Sequence, residues 1–306
     1  MVFKKLMRAF GVGGPSVDTI LDRQDVRPGG TASGRVEILG GDHDVEIEHV
    51  ALGLVTRVEV EGYEDDYDAT VEFHRTVVSG PFRLAAGERR SIPFSFEVPF
   101  EAPMTHVYGR QLRGMTMGVR TELSVAKAVD KGDLDALAIY PLSSQERVLN
   151  AFGQLGFGFR KADLERGRIR GLLQELPFFQ EIEFDVPESF AGGVGEVELT
   201  FIADPHHLAV VLEADRRGAA FGDGGDGFGR WIFPHEVALR TDWEREVGEW
   251  LTALADRAGQ DRGFGGSGRG HHVAGAVTAG VAGGLMGAAG VGDAADSAHG
   301  DDEDTP

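Results

Sequence analysis

Apolar and polar side chains alternate along the stretch from residue 16 to residue 60, SVDTILDRQDVRPGGTASGRVEILGGDHDVEIEHVALGLVTRVEV. Val36 and Ile38 fall on one side of this pattern, and Arg35 and Glu37 fall on the other. A period of two is typical of half-buried strands, and Pro-Gly-Gly and Gly-Gly turns separate three such runs. The stretch therefore predicts three β-strands and excludes an amphipathic helix here.

The third run changes phase. Its apolar positions are odd-numbered at first and then even-numbered, in the order Val45, Ile47, Val50, Leu52, Leu54, Val58 and Val60. Because side chains on a strand alternate strictly between faces, a slip of one residue indicates a β-bulge or a bend. We expect that bulge near Glu48–Val50.

Further strand patterns continue to residue 126 and predict a first β-sandwich domain over 1–126, with about seven strands. Their apolar faces are Val71, Phe73 and Val77, then Ile92, Phe94, Phe96 and Val98, then Met115, Met117, Val119, Leu123 and Val125. Pro93 interrupts the second of these runs. Since proline cannot donate to a ladder, we expect this strand at a sheet edge or at a bulge.

Residues 127–142 resemble a connection with one short strand at Leu137–Ile139, and a second domain is expected over 127–259. Two helices are predicted there, each from a capping box followed by apolar residues at helical spacing. The first box is Ser143 with Glu146, ahead of Val148, Leu149, Phe152 and Leu155, and the second is Thr241 with Glu244, ahead of Val247, Trp250, Leu251 and Leu254. Strands are predicted at 181–186, 196–202 and 208–213.

Two terminal segments differ from the rest of the chain. Near the N-terminus, Phe3, Leu6, Met7 and Phe10 share one helical face, and Lys4, Lys5 and Arg8 lie opposite. This pattern predicts a short helix that packs on the first domain or docks on a membrane surface or a partner. Residues 260–306 are rich in glycine and alanine and end in an acidic run, which favours disorder. The alternative is a glycine-zipper membrane segment around Val273–Val291.

Composition excludes several classes of function. The 306 residues carry a formal net charge of −20, which argues against sequence-independent binding to nucleic acid. The chain has no cysteine, so thiolate metal sites and cysteine nucleophiles are excluded, and a reducing compartment is favoured. The N-terminal residues lack the apolar run of a secretory signal, and the expected location is the cytoplasm of a bacterium.

Three groups of residues are candidate sites. Gly222, Gly224 and Gly227 match a dinucleotide-binding spacing, but a strand pattern follows them instead of the required helix, and Asp223 and Asp226 lack the ligand series of an EF-hand. The pair His206–His207 falls in a turn, and His271–His272 falls in the tail. His43, Asp44, Glu46, Glu48 and His49 are close in sequence, but Glu46 and Glu48 fit an exposed strand face.

Motifs for a nucleophile elbow, a P-loop, a zinc protease or a catalytic carboxylate pair are absent from the sequence. We therefore predict a non-enzymatic protein with no catalytic residue, no cofactor-binding residue and no metal ligand.

Several stretches carry a family resemblance. They are FKKLMRAFGVGGPSVDTILD, GRVEILGG, VEIEHVALGLVTRVEV, IPFSFEVPFEAPMT, TELSVAKAVDKGDLDALAIYP and LPFFQEIEFDVP, in this order over roughly residues 1–250. In these stretches the chain resembles the bacterial sporulation-control protein family (stage 0 sporulation protein M). The resemblance implies an arrestin-like fold of two tandem β-sandwich domains and a regulatory role in sporulation or cell development.

Taken with the lack of catalytic motifs, this resemblance predicts a cytoplasmic adaptor that acts through protein–protein interaction, because two sandwiches offer exposed strand edges for docking. The alternative is a membrane-associated scaffold, anchored by Phe3–Phe10 or by the glycine- and alanine-rich tail. A third class is a sandwich that binds carbohydrate or metal. The partner, the binding face and the oligomeric state are left open by the sequence.

Overall fold

Strands dominate the computed structural model, which describes residues 13–60, 67–127, 130–190, 194–216 and 227–263. The strands of the first part of the chain are β1 (Ser16–Leu21), β2 (Asp25–Val26), β3 (Thr31–Leu39), β4 (Val45–Val60), β5 (Tyr67–Ser79), β6 (Phe82–Leu84), β7 (Arg89–Glu97), β8 (His106–Val107), β9 (Arg110–Gln111), β10 (Met117–Val125), β11 (Lys131–Ala136) and β12 (Ala138–Ile139). The second part contains α1 (Ser143–Leu155), β13 (Gly158–Arg166), β14 (Phe178–Asp185), β15 (Val194–Ala203), β16 (His207–Arg216), β17 (Gly227–Pro234), α2 (His235–Ala238) and α3 (Trp243–Gly263).

The first domain packs two sheets face to face. One sheet has the order β1-β3-β7, and in the other β4 pairs with β10 on one side and with β5 and β6 on the other, while β11 pairs with β10. Both contribute to a first apolar core that includes Val36, Ile38, Leu52 and Leu123. These side chains occupy the predicted alternating positions, so the alternation of apolar and polar residues along each strand identifies the residues of this core.

The predicted bulge in β4 is confirmed. Ser124 of β10 lies opposite His49, whereas the next residue, Val125, lies opposite Ile47, which leaves Glu48 as the extra residue. The predicted edge position of Pro93 is also confirmed, because β7 pairs only with β3 among the described strands.

Strand β4 is long enough to serve both domains. Leu52 and Leu54 lie in the first core, whereas Val58 lies in a second apolar core that is centred on the later strands and the helices. Glu59, near the end of β4, pairs in parallel with Glu165 of β13. One continuous strand therefore couples the two halves of the chain.

The second domain is a five-stranded antiparallel sheet in the order β13-β14-β15-β16-β17. Helices α1 and α3 cover its inner face, where Phe152, Trp243 and Val247 are almost fully buried. The predicted all-β class with two tandem arrestin-like domains is confirmed. The two predicted helices correspond to α1 and α3, and the short α2 is an additional helix in the described residues. The domain limits at residues 126 and 259 stay predictions.

Side chains of each domain bond to backbone groups of the other domain where the two domains meet. The Glu101 carboxylate accepts the N–H groups of Glu175 and Leu176, at 2.8 Å each. The Gln180 amide exchanges two hydrogen bonds with the backbone of Met104, at 3.1 and 2.8 Å. The Gln180 bonds satisfy buried polar groups of Met104, so hydrogen-bond geometry as well as apolar burial fixes how the domains meet.

Both predicted capping boxes are wrong by one residue. Helix α1 has Leu142 as its N-cap, and its N–H donates to the Gln145 side chain at 2.8 Å. The side chain of Glu146 pairs instead with Arg27. At α3, the Asp242 carboxylate accepts the Arg245 N–H at 3.2 Å, so the cap follows Thr241 by one position. The predicted apolar faces of both helices are confirmed.

Two further expectations need correction. The sequence predicts one short strand within residues 127–142, but β11 and β12 both lie there, and Leu137 and Ile139 belong to the first core. The alternation assigns Val77 to the apolar face of its strand, yet 59% of it is exposed. The register of β5 against β4 shifts twice, and Val78 packs on the first core instead.

Several sequence predictions fall outside the described residues. These are the N-terminal helix around Phe3–Phe10, the tail from residue 264 onward, Gly222, Gly224 and their neighbouring aspartates.

Within the described ranges, no helix is both long enough and apolar enough to cross a membrane.

Candidate functional site

The histidine and carboxylate residues between His43 and His49 have separate partners. Asp44 accepts the Ala86 N–H at 2.8 Å and pairs with Arg83 at 2.7 Å, and these bonds lower the pKa of its carboxyl. His49 lies at the other end of the segment, where its Nε2 is 2.9 Å from the Glu122 carboxylate. The segment therefore makes two separate structural contacts. The prediction that no residue is a metal ligand stays a prediction.

The pair His206–His207 lies in a turn, as predicted. Asp204 Oδ1 accepts both backbone N–H groups, at 2.6 and 2.7 Å, which closes the connection between β15 and β16. Gly227 begins β17, so the glycine-rich segment leads into a strand and no helix N-terminus is present at that point to hold a pyrophosphate.

The sequence did not predict a site on the outer face of the second sheet. Glu198 of β15 lies directly opposite Glu183 on one side and Glu213 on the other. Directly opposite side chains in a sheet have Cβ atoms about 5 Å apart, and like charges in that position are destabilising. We call this surface the acidic face; its side chains are Glu59, Asp163, Glu165, Glu181, Glu183, Asp185, Glu196, Glu198 and Glu213.

Two cations enter the acidic face at a bulge in β13. Between Phe159 and Ala162 the register against β14 shifts by one residue, so Arg160 and Lys161 both reach this face. Lys161 Nζ lies 2.8 Å from Glu183, whose side chain is only 10% exposed, and Arg160 contacts Glu183 at 3.7 Å. Glu183 therefore contacts both cations in the middle of the carboxylates.

Glu181 shows the electrostatic character of the face. Burial, and then the negative charges of Glu198, Glu165 and other neighbours, raise the pKa of its carboxyl to about 8. Burial and a hydrogen bond with Glu183 also raise the pKa of Glu196. Burial and the neighbouring negative charges together raise the pKa of the Glu181 carboxyl enough to keep it protonated at neutral pH.

Two groups of carboxylate oxygens converge within 4.8 Å: Glu59 with Asp163 and Glu165, and Glu183 with Glu196 and Glu198. These are the oxygen ligands that hard cations such as calcium and magnesium take. Lys161 binds both Asp163 and Glu183, so cationic nitrogen already neutralises part of each group.

The acidic face ends at an edge strand. Among the described strands, β17 pairs with β16 alone. The His235 N–H donates to the His206 carbonyl, so this N–H points towards β16. In an antiparallel pair, the N–H groups of successive residues point alternately towards the partner strand and away from it. The N–H groups of Phe228, Arg230 and Ile232 therefore point away from β16, towards the open edge.

Apolar side chains flank this open edge. Phe228 is 42% exposed and lies opposite Glu213, and Ile232 is 52% exposed. Between them, the Arg230 guanidinium donates to the Arg170 carbonyl at 3.1 Å. The edge thus offers backbone donors and two apolar side chains beside a row of carboxylates.

A signal for this surface is present in the sequence. The segments EIEFD and EVELT, and Glu213 in the strand that follows, place acidic residues at alternate positions. Their alternation shows that each strand has an acidic face. It does not show that the three strands are neighbours with matching registers, and that arrangement makes the surface.

Comparisons with known proteins agree in identifying the family. A family model described as SpoOM protein (Spo0M) matches residues 3–218. The chain is 33% identical over 217 residues to the sporulation-control protein spo0M of Bacillus subtilis (strain 168), covering 70% of this chain and 81% of that protein. The crystal structure of Spo0M from the same organism matches with a TM-score of 0.66 and 27% identity, over 81% of this chain and 99% of that one. The chain therefore belongs to the Spo0M family of sporulation-control proteins.

Proposed function

We propose that this chain is a non-enzymatic regulator of sporulation that binds an extended, basic segment of a protein partner along β17 and the acidic face. The observation that carries the proposal is the row Glu183, Glu198 and Glu213, which ends at the edge strand β17. The outward N–H groups of β17 can donate hydrogen bonds to a further strand. A strand added to this edge would gain main-chain hydrogen bonds, and its basic side chains would meet the carboxylates.

The energetics of the face support this proposal. Like charges directly opposite one another in a sheet are destabilising, and Lys161 and Arg160 offset this repulsion at Glu183. A basic partner reverses the sign of this contribution, because each new cation lies near several carboxylates. Ion pairs at a surface contribute little binding free energy. Burial of the exposed side chains of Phe228 and Ile232 by the partner would add a favourable hydrophobic contribution.

The backbone requirement can be tested with Ile232→Pro in the full-length protein. Its N–H points to the open edge, so proline removes a donor for the partner and leaves the ladder with β16 intact. Fluorescence anisotropy with a labelled peptide of alternating lysine and valine measures binding, and Ile232→Val is the matched control. We expect at least a tenfold loss for Ile232→Pro; equal binding by both variants would refute the edge as the docking site.

The charge requirement is tested with Glu198→Lys/Glu213→Lys. We expect this variant to lose binding of the basic peptide, whereas Glu236→Lys/Glu249→Lys, which reverses exposed charges on α2 and α3, keeps it. An alternating glutamate and valine peptide serves as the ligand control and should not bind the wild type. Equal binding of the acidic and the basic peptide would contradict the proposed role of the carboxylates.

A further inference from the structure

The outer face of the second sheet has three rows of side chains that run across the strands to β17, and each row ends in a different chemistry. The row of three glutamates described above ends at Phe228. The next row ends at Arg230, and the row after it ends at Ile232. A strand that pairs with β17 would extend each row by one residue.

The row of Arg230 differs from the acidic row because its neighbouring positions are uncharged. Arg230 lies opposite Val211, which lies opposite Thr200, and both of these residues are buried. Glu181 begins this row three strands away, at a distance of about 14 Å. Its pKa of about 8 keeps its carboxyl protonated at neutral pH. The carboxylates of the acidic face therefore leave the charge of Arg230 uncompensated.

The loop between β13 and β14 fixes the position of the Arg230 guanidinium. Its Nη1 donates to the Arg170 carbonyl at 3.1 Å. Gly171 has a positive φ of 80°, and a Cβ there would lie 2.9 Å from the same nitrogen. Among the described residues, the guanidinium has this carbonyl and no carboxylate as its partner. Its other nitrogens are therefore available as donors at the open edge.

Each row favours a different side chain on an added strand. Opposite Arg230, a carboxylate would accept charge-assisted hydrogen bonds from the guanidinium, whereas a lysine would be repelled. Opposite Phe228, a basic side chain would begin about 10 Å from Glu213, and its stem could cross the Phe228 ring, whose face attracts cations. Opposite Ile232, which is half exposed, an apolar side chain would gain burial.

We propose that the partner segment carries an acidic residue opposite Arg230, a basic residue opposite Phe228 and an apolar residue opposite Ile232, at alternate positions. This inference rests on the proposed docking function and names the residue pattern of that partner. The pattern applies to both strand directions, because it follows one face of the edge strand with a period of two. Arg230 is then the residue that determines specificity within an otherwise acidic site.

The test compares two labelled peptides on full-length protein by fluorescence anisotropy. One is the alternating lysine and valine peptide, and the other has glutamate in place of its central lysine. The lysines of the second peptide are symmetric about the glutamate, so either strand direction places them alike. The ratio of the two dissociation constants is measured in each protein variant, which isolates the coupling between the central peptide residue and Arg230.

Arg230→Glu should bind the lysine peptide more tightly and the glutamate-centred peptide more weakly, so the ratio changes by about tenfold. Arg230→Lys keeps the positive charge and should keep the wild-type ratio. Arg147→Glu makes the same change of net charge on the exposed side of α1, which covers the opposite face of the sheet, and should also keep the ratio. Melting curves for each variant show that it is folded.

The outcomes separate this inference from the proposed function. An unchanged ratio in Arg230→Glu, or loss of both peptides by the folded variant, would overturn the inference. Binding of the lysine peptide by the wild type shows in either case that the docking function stands. If the wild type binds neither peptide, both proposals fail.

Discussion

At the scale of single residues, Glu181 is the most consequential side chain of the acidic face. Its outward position follows from the alternation of β14, in which Ile182 faces the second core. Burial and neighbouring carboxylates raise its pKa to about 8, so the folded protein holds a proton that the unfolded chain releases at about pH 4.3. This residue therefore contributes to the dependence of folding on pH.

The sign of that linkage gives a prediction. Between about pH 4.3 and pH 8 the folded state binds more protons than the unfolded state, so the Glu181 contribution to the free energy of unfolding falls as pH rises. Glu181→Gln removes this contribution and should stabilise the protein by about 1–2 kcal/mol near pH 8, with a smaller effect near pH 5. Urea unfolding at the two pH values measures it. The exposed Glu188→Gln is the control, and equal effects of both substitutions would contradict the account.

At the scale of elements, the turn before β10 connects the first domain to β13. Gly114 has a positive φ of 97°, and a Cβ there would lie 2.1 Å from the Ala162 carbonyl oxygen. The Ala162 N–H donates to the Arg113 carbonyl at 3.0 Å, so the close approach is part of the junction. Only glycine fits this position without moving β13.

Gly114→Ala should destabilise the protein by about 2–3 kcal/mol, because backbone strain and a backbone clash act together. Gly109 offers a matched control, since its φ is also positive at 75° but a Cβ added there would meet no other group within 4 Å. Gly109→Ala therefore reports strain alone and should cost about 1 kcal/mol. Thermal melts of both variants measure the difference; equal losses would show that the contact with Ala162 contributes nothing.

At the scale of the whole molecule, the two domains share strand β4 and a bonded junction. Glu101 and Gln180 satisfy backbone groups of the opposite domain, at distances of 2.8 to 3.1 Å. Apolar side chains from the first part of the sequence, Met104, Leu112 and Met115, lie in the second core. We therefore expect one cooperative unfolding transition for the wild type.

Glu101→Ala combined with Gln180→Ala should separate this transition into two. Gln180→Ala leaves the buried N–H and carbonyl of Met104 without this partner, at a cost of about 1–3 kcal/mol. Glu101→Ala adds a smaller loss at the same junction, because the Glu175 N–H that it frees is exposed and the Leu176 N–H is part-buried. The three tryptophans, Trp231, Trp243 and Trp250, all lie in the second domain, so their fluorescence reports that domain alone. Circular dichroism reports both domains. Coincident fluorescence and circular dichroism curves for the double variant would contradict the expected separation.

Much of the fold follows from local patterns, and the errors have a common cause. The bulge at Glu48 and the edge position of Pro93 were predicted because each depends on one strand and its period. The predicted caps of α1 and α3 are wrong by one residue, because Gln145 and Asp242 make the cap hydrogen bonds and the capping-box pattern fits two adjacent positions equally well. Val77 faces outward because the register of β5 against β4 shifts. The sequence of β5 by itself does not reveal this shift.

The sequence by itself determined the strand periods, the apolar faces and the family, because these depend on the order of side chains along one chain. Only the tertiary structure decided that Glu183, Glu198 and Glu213 lie in one row and that β17 has an open edge among the described strands. Strand neighbours and registers are set by packing across the whole sheet, so residues far apart in sequence become adjacent only after folding. The candidate site therefore forms only in the folded sheet, because its side chains come from several strands.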